Sequence, residues 1–263
     1  RSLPSSMKEV FRTTGLSHIV VLSGFNITIL IIAVLFIFRF LPLTLRIFLT
    51  LFCIAMFVVA VSGGVSVLRA TLMASVALFA LLLGKSYVSK QALFLSLFFI
   101  VLIEPRYILF DASLHHSFLA TAGIIYFYPL YEFFVGEKMN YFHQVFGTTL
   151  AASLFTVPYV SYAFEQFSLY ALLANMLVVP VIPVIMLFAV VLLLTTYLVP
   201  AASLFIGFFV SYISSYVVYI SETISRFPYA NISTSFSFTA MVLAYLFIFS
   251  TTLFITKKKS PLN

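Results

Sequence analysis

Polar residues that could contact a charged substrate interrupt several otherwise apolar stretches of this 263-residue chain. In the first stretch, residues 18–30, His18, Ser23 and Asn26 stand among apolar residues, with Gly24 between them. Glycine weakens a helix by up to about 1 kcal/mol, or it lets two helices approach closely. We therefore expect either a tight helix–helix contact here or an interrupted helix that lines an aqueous path.

An arginine occupies a similar position in the second stretch, SGGVSVLRATLM at 62–73. Gly63 and Gly64 separate two apolar runs, and Arg69 lies about one turn into the second run. An arginine at the centre of a membrane-spanning helix is unfavourable by about 2.5–3.5 kcal/mol on insertion scales. Its side chain therefore either reaches back to the membrane surface or receives an anion that enters from that side.

Two histidines, His115 and His116, precede the apolar segment SFLATAG of the third stretch. Adjacent residues of a helix point to different faces, whereas two metal-binding histidines on one helix are usually three or four residues apart. We expect these histidines to be polar lining groups and not metal ligands.

Prolines interrupt the fourth stretch, FEQFSLYALLANMLVVPVIP at 164–183. Pro180 has no N–H to donate to the carbonyl of Met176, and Asn175 lies within one turn of that carbonyl. The pattern predicts either a simple kink or a discontinuous helix of the kind that lines substrate paths in transporters.

Catalytic motifs are absent from the sequence. It contains no phosphate-binding glycine loop, no metal-ligand cluster and no nucleophile elbow, and its seven carboxylates are scattered. We expect no catalytic residue, no metal and no cofactor, and so we do not expect an enzyme.

The composition identifies the elements that position these groups. Hydrophobic residues make up 63% of the chain and charged residues 8%. Several runs reach the length of about 20 apolar residues that crosses a hydrocarbon core, and their continuity argues against the alternating pattern of a β-barrel. We predict an all-α polytopic membrane protein with at least one discontinuous helix and about nine transmembrane helices, near 17–38, 43–62, 65–84, 91–103, 113–134, 145–163, 168–199, 203–225 and 235–256.

Basic residues predict the orientation. Loops rich in lysine and arginine stay in the cytoplasm, and under the nine-span count most basic loops fall on one side: those with Arg39 and Arg46, Lys85 and Lys90, and Lys138, and the tail at 257–259. We expect one membrane domain over residues 1–263. Because the chain begins with Arg1, we also expect an upstream segment. The amphipathic segment that opens the chain is typical of an interfacial helix.

Four ordered blocks resemble the competence domain of ComEC-type proteins, the inner-membrane channels for uptake of single-stranded DNA in transformable bacteria. They are GLSHIVVLSGFNITIL, SGGVSVLRATLMASVALFALLLGK with Ser66, Arg69 and Met73 in place, SFLATAGI at 117–124, and FEQFSLYALLANMLVVP with Asn175 and Pro180. Together they cover most of residues 10 to 190.

The resemblance implies a function. It points to a channel that passes single-stranded DNA inward during natural transformation, embedded in lipid and served by a separate DNA receptor and motor. Our hypothesis for the residues that line its path is the set of polar and helix-breaking residues described above: His18, Ser23, Gly24, Asn26, Arg69, His115, His116, Asn175 and Pro180. Many family members carry an outer oligonucleotide-binding-type domain before this region and a metallo-β-lactamase-like nuclease domain after it, and neither lies within these 263 residues.

The sequence departs from the family pattern at three of these positions. The family usually has histidine where Asn26 stands, glutamine near His115 and leucine near His116. A protonatable group is therefore lost at position 26.

Two other functions fit the span pattern without the resemblance. A secondary transporter or exporter of a small anionic or lipid-linked substrate needs a coupling site, and Glu222 is the best candidate for its carboxylate. A membrane subunit that only docks partners needs no continuous wet path. The sequence leaves the driving force and the oligomeric state open.

Overall fold

A computed structural model describes residues 4–17, 24–60, 64–234 and 236–259, without the side chains of residues 25, 253 and 256–259. In these ranges the chain is helical apart from turns and one short strand pair. The helices are α1 (Ser5–Thr13), α2 (Gly24–Ile37), α3 (Leu43–Ala60), α4 (Val65–Leu82), α5 (Ser89–Ile103), α6 (Tyr107–Phe110), α7 (Ala112–Tyr126), α8 (Tyr128–Val135), α9 (Tyr141–Phe164), α10 (Ala171–Val178), α11 (Ile182–Leu198), α12 (Pro200–Ser225) and α13 (Phe238–Lys259).

The helices follow from the long apolar runs, because backbone N–H and C=O groups in lipid must be paired inside the segment. Five described helical segments are long and apolar enough to cross a membrane, and three shorter apolar helices accompany them. The five are Leu43–Ala60, Val65–Leu82, Ala112–Lys138, Ala171–Leu198 and Pro200–Ser225, and the three are Asn26–Ile37, Ser89–Ile103 and Phe238–Thr252.

The all-α, multi-pass fold class expected from the sequence is thereby confirmed. Each of the nine predicted spans coincides with a described helix or helix pair. The sixth, α9, is long enough at 24 residues, but it is not among the eight apolar helices.

The chain divides into two compact units. We call one the arginine unit, residues 16–111 and 177–223, and the other the histidine unit, residues 1–15, 112–176 and 224–263. In the arginine unit α2, α3, α4 and α5 pack on one another, and α11 contacts α2. Its core is formed by Ile27, Ile47, Ile54, Val67 and Leu78.

The histidine unit is built around the pairing of α7 with α9, against which α8 and α13 also pack. Two short strands close one end: β1 (Gln166–Phe167) pairs antiparallel with β2 (Ile232–Ser233), with Gln166 opposite Ser233. These strands join the segment after α9 to the segment before α13.

The amphipathic segment that opens the chain forms α1, which buries Phe11. Its C-terminal end lies on the segment before α10: the Ser168 hydroxyl donates to the carbonyl of Thr13 at 2.7 Å. Gly15 follows with φ of +72°, and a Cβ there would lie 2.6 Å from the Cβ of Ala171. Only glycine satisfies both the backbone conformation and the space.

Candidate functional site

Gly24 and Arg69 lie together in the arginine unit. A Cβ added to Gly24 would stand 2.9 Å from the Cβ of Ala70 and 3.5 Å from Nη2 of Arg69. The glycine therefore lets α2 approach α4 closely, as small residues do between membrane helices. Gly24 is thus closely packed, whereas the other interpretation, an interrupted helix, concerns residues 18–23, which lie outside the described residues.

The guanidinium of Arg69 extends into the helix bundle and not back toward the nearer helix end. Arg69 is the fifth residue of α4, and its Nη1 donates to Sδ of Met73, one turn further along, at 3.4 Å. The sulfur of methionine is a weak acceptor. Arg69 thus does not reach back to the membrane surface beside Val65.

The charge of Arg69 also reaches the loop between α4 and α5. Partial burial raises the pKa of Tyr87 above its ordinary value of 10, whereas a hydrogen bond with Ser89 and the positive charge of Arg69 act to lower it. Desolvation is the larger effect because it disfavours the phenolate.

The other predicted groups of the first stretch are only partly described. His18 and Ser23 lie outside the described residues. Asn26 is on α2, two residues after Gly24, and is half-buried. The hydroxyl of Thr28 donates a hydrogen bond to the carbonyl of Gly24 at 3.3 Å. This hydroxyl therefore has its partner within the same helix.

His115 lies in the histidine unit, the fourth residue of α7. Its Nδ1 is 2.8 Å from the hydroxyl of Tyr159 on α9, and the two rings meet edge to face with centroids 5.1 Å apart. The imidazole and the phenol therefore form a polar link across the helix pair at the centre of this unit.

A second phenol adds to this link. Tyr245, on α13, donates to the carbonyl of Phe155 at 2.8 Å and lies within electrostatic range of Tyr159. Pro158 stands inside α9 between these two α9 residues and removes one hydrogen bond of the helix. The side chains of His115, Tyr159 and Tyr245 therefore lie close to Pro158 of α9.

His116 is half-buried on the same helix and points to a different face from its neighbour. Among the described residues, no group of three histidine, cysteine, aspartate or glutamate side chains is arranged to hold a metal ion.

Asn175 is buried, 8% exposed, on α10 of the histidine unit. Its Oδ1 has no hydrogen-bond partner. A buried amide oxygen without a donor is unfavourable by about 1–3 kcal/mol. Such an oxygen can accept a hydrogen bond from a water molecule or a substrate that passes it.

Pro180 lies where α10 gives way to α11. The helix tightens to one 3₁₀ turn over Val179–Val181, and Pro180 occupies its centre. The predicted discontinuity is therefore present in a mild form, because residues 171–198 continue as one helical stretch and do not fold back. The hydroxyl of Tyr216 on α12 donates to the carbonyl of Leu177, beside this turn, at 3.3 Å.

The predicted residues divide between the two units. Gly24, Asn26, Arg69 and Pro180 belong to the arginine unit, whereas His115, His116 and Asn175 belong to the histidine unit. Sequence reasoning missed the two tyrosines, Tyr159 and Tyr245. Pro158 could have indicated them, since a proline inside a membrane helix leaves a carbonyl without its usual N–H donor, and another group must then donate to it.

Comparison with known proteins identifies the family. The model of the Competence protein family matches residues 1–258. The chain belongs to the Competence protein family. It is also 30% identical over 173 residues, 65% of its length, to the ComE operon protein 3 of Bacillus subtilis (strain 168). The match spans 22% of that relative, and no solved structure matches the chain.

Proposed function

We propose that this chain forms part of a membrane channel that passes single-stranded DNA inward during natural transformation. The observation that carries the proposal is the match to the Competence protein family over residues 1–258. The similarity of this chain to the ComE operon protein 3 of Bacillus subtilis accompanies that match.

The position of Arg69 supports a polyanionic cargo. A strand carries one negative charge per nucleotide, and contacts that are too strong would hold it in place. A guanidinium within an apolar helix, as Arg69 is on α4, supplies a contact of this kind. A phosphate is a stronger acceptor for a guanidinium than a methionine sulfur, to which Nη1 of Arg69 donates.

The polar groups of both units occupy similar positions along their helices. Arg69 is the fifth residue of α4, His115 the fourth of α7 and Asn175 the fifth of α10. The basic loops predict that these N-terminal ends face outward. We propose that Arg69 meets an arriving strand in the outer part of the membrane, before the strand reaches the cytoplasmic half.

Substitution of Arg69 tests the proposal. Arg69→Leu removes the guanidinium and is expected to abolish DNA uptake while the protein still inserts in the membrane. Arg39→Leu is the matched control, since Arg39 is exposed and its guanidinium lies over the ring of Phe36, 5.4 Å from the centroid. Uptake of labelled DNA and membrane levels are measured together, and normal uptake by Arg69→Leu would refute the assigned role of this arginine.

Asn175→Leu tests the second unit. It replaces a buried amide whose oxygen has no partner by an apolar side chain of similar size. If the amide serves only packing, stability stays the same or rises and uptake is unchanged. If it contacts the strand, uptake falls while stability does not, and Asn175→Asp is expected to lower uptake further because its charge repels phosphate.

One observation favours a different function, a transporter of small anions coupled to an ion. Glu222 lies on an open stretch of the surface of α12, together with serine side chains. A carboxylate in such a place is typical of a coupling site. Loss of function in Glu222→Gln with normal function in Arg69→Leu would favour the transporter over the DNA channel.

A further inference from the structure

Positive charge accumulates on helices α2 to α5 of the arginine unit. Between residues 16 and 103 the sequence has no aspartate or glutamate, and it has five lysine or arginine residues: Arg39, Arg46, Arg69, Lys85 and Lys90. Glu104 and Asp111 follow after the end of α5. The positive charge of these helices is therefore not balanced by any carboxylate on the same helices or on the loops between them.

Four of these cations lie at one end of the unit. α2, α3, α4 and α5 pack on one another in chain order, and short connections join them, so successive helices run in opposite directions. The loop between α2 and α3 and the loop between α4 and α5 are therefore at the same end, which the basic residues predict to be cytoplasmic. These two loops and the first turns of the helices after them contain Arg39, Arg46, Lys85 and Lys90.

Arg46 stands between the buried and the exposed side of α3. The buried side consists of Ile47, Thr50 and Ile54, and the exposed side of Leu45, Phe48 and Phe52. At about 100° of rotation per residue, position 46 falls between these two sides. Arg46 is the fourth residue of α3, so its Cα lies about 4.5 Å along the axis from the start of the helix. From this depth a side chain as long as that of arginine reaches the level of the lipid phosphates.

The Nε–H group of Arg46 has no acceptor among the described residues. Nε is buried and without a hydrogen-bond partner, whereas the described ion pairs involve Arg12 and Arg106. The other arginine at this end, Arg39, has its guanidinium over the ring of Phe36. A buried donor without an acceptor is unfavourable, so a ligand that supplies an acceptor is favoured at Arg46.

A phosphate group has the chemistry that this guanidinium lacks. Two phosphate oxygens can accept parallel bonds from one edge of a guanidinium, such as the edge formed by Nε and one Nη. Rotation about the bonds of the long side chain turns this edge toward the membrane surface. On the exposed side of the same helix, Phe48 is 54% exposed and Phe52 63%. Hydrocarbon chains can cover these rings, whereas the charged backbone of a nucleic acid is unfavourable beside them.

We propose that Arg46 binds the headgroup phosphate of an anionic phospholipid in the leaflet at this end, and that the acyl chains of this lipid lie along Leu45, Phe48 and Phe52. Lys85 and Lys90 add a positive potential that favours anionic over zwitterionic headgroups. This inference goes beyond the DNA channel and does not depend on it. The bound lipid would hold the α2–α3 end of the arginine unit at the membrane surface.

The test uses the full chain in mixed micelles with added phosphatidylglycerol, and native mass spectrometry gives the Kd of the first lipid retained. Arg46→Gln removes the charge and the pair of donors, and it is expected to weaken binding about 10- to 100-fold, as loss of hydrogen bonds between charged groups does. Arg46→Lys keeps the charge without the planar donors and is expected to weaken binding less. Phosphatidylcholine, whose choline balances its phosphate, is expected to bind at least about fivefold more weakly than phosphatidylglycerol.

Two lysine variants separate a specific contact from a general attraction. Lys85→Gln lowers the surface potential at the same end and is expected to weaken binding about fivefold. Lys138→Gln is the matched control, because Lys138 is an exposed lysine on the predicted cytoplasmic side of the other unit, next to Glu137, and its loss is expected to leave binding unchanged. Equal weakening by Arg46→Gln and either lysine variant would show attraction by charge alone and would overturn the proposal, as would unchanged binding by Arg46→Gln.

Thermal unfolding in the same micelles tests whether Arg46 serves only the packing of α3. Without added lipid, Arg46→Gln is expected to unfold at the midpoint of the unaltered chain, because Nε has no partner to lose. Added phosphatidylglycerol is expected to raise the midpoint of the unaltered chain, since a ligand of the folded state stabilises it, and to raise that of Arg46→Gln less. Equal increases in both proteins would overturn the lipid site even if Arg46→Gln were less stable from the start.

Occupants other than lipid give different results. Displacement of phosphatidylglycerol from the unaltered chain by a 20-nucleotide oligodeoxythymidine would assign Arg46 to the path of a DNA strand and overturn the lipid site. A dimer mass that is present for the unaltered chain and absent for Arg46→Gln would assign this surface to a second copy, with the same consequence. Retention of phosphatidylglycerol by a monomer in the presence of the oligonucleotide is the result expected for a lipid site.

Discussion

Replacing Gly24 by alanine tests the packing that holds Arg69 in place. The new Cβ would lie 2.9 Å from the Cβ of Ala70. Carbon atoms in favourable contact are about 3.5–4.0 Å apart, so α2 and α4 must separate by about 0.6–1.1 Å. Neither carbon is the end of a flexible side chain, and the backbone has to move.

The expected magnitude follows from overpacking. Forcing an extra methyl group into a packed interface costs about 1–3 kcal/mol. Alanine also favours the helix over glycine by up to about 1 kcal/mol. We expect the net loss of unfolding free energy in Gly24→Ala to be about 1–2 kcal/mol, together with reduced DNA uptake, because Nη2 of Arg69 lies 3.5 Å from the same new methyl group.

Two further variants make the assay specific. Gly207→Ala is the matched control, since a Cβ there meets only Cδ1 of Leu192 at 3.7 Å, an ordinary contact. Ala70→Gly in the Gly24→Ala background removes the clashing carbon and is expected to restore part of the lost stability. Unfolding is followed by circular dichroism of the full chain in mixed micelles with increasing dodecyl sulfate.

The double variant decides the outcome. Residues in contact show coupling energies of about 0.5–3 kcal/mol. Equal stability of Gly24→Ala and Gly207→Ala, or additive effects of Gly24→Ala and Ala70→Gly, would show that α2 and α4 do not meet at this point. The argument that a glycine positions Arg69 would then be wrong.

Three other predictions concern individual contacts. Gly123→Ala is expected to lower the unfolding free energy of the full chain by about 1–3 kcal/mol, because its Cβ would collide with the backbone of Ala151 on α9; normal stability would contradict the tight α7–α9 pairing. Tyr245→Phe removes the bond to the carbonyl of Phe155 and is expected to cost about 0.5–1.5 kcal/mol in the same measurement, and an unchanged midpoint would contradict it. Burial raises the pKa of Tyr87 above 10. The stability that the neutral phenol contributes is therefore present below pH 10 and is lost as the pH rises through the pKa of the folded state. Ultraviolet difference titration of the chain against Tyr87→Phe measures this pKa, and ionisation of Tyr87 below pH 10 would contradict the prediction.

Much of the fold follows from local sequence. A run of about 20 apolar residues has to form a helix in lipid, whatever its neighbours are. The boundaries of α3, α4 and α12 accordingly agree with the predicted spans to within about three residues. The 3₁₀ turn at Pro180 was also predictable, because the missing N–H is a property of proline itself.

The candidate site was predictable only in part. The sequence places Arg69 and Asn175 inside apolar segments, but it does not show what each one meets. The partner of His115 is Tyr159, 44 residues further along the chain. Such a pair depends on the rotation of two helices about their axes, and apolar patterning does not determine that rotation when helices are apolar on every side.

The sequence by itself determined that the chain is helical, that it crosses a membrane several times, and that a few polar groups lie within apolar segments. Only the tertiary structure decided that Gly24 packs beside Arg69 and that His115 meets a tyrosine near Pro158. The physical reason is the range of the interactions. Burial in lipid and backbone hydrogen bonding act within one segment, whereas close packing and side-chain hydrogen bonds join segments that are distant in the chain.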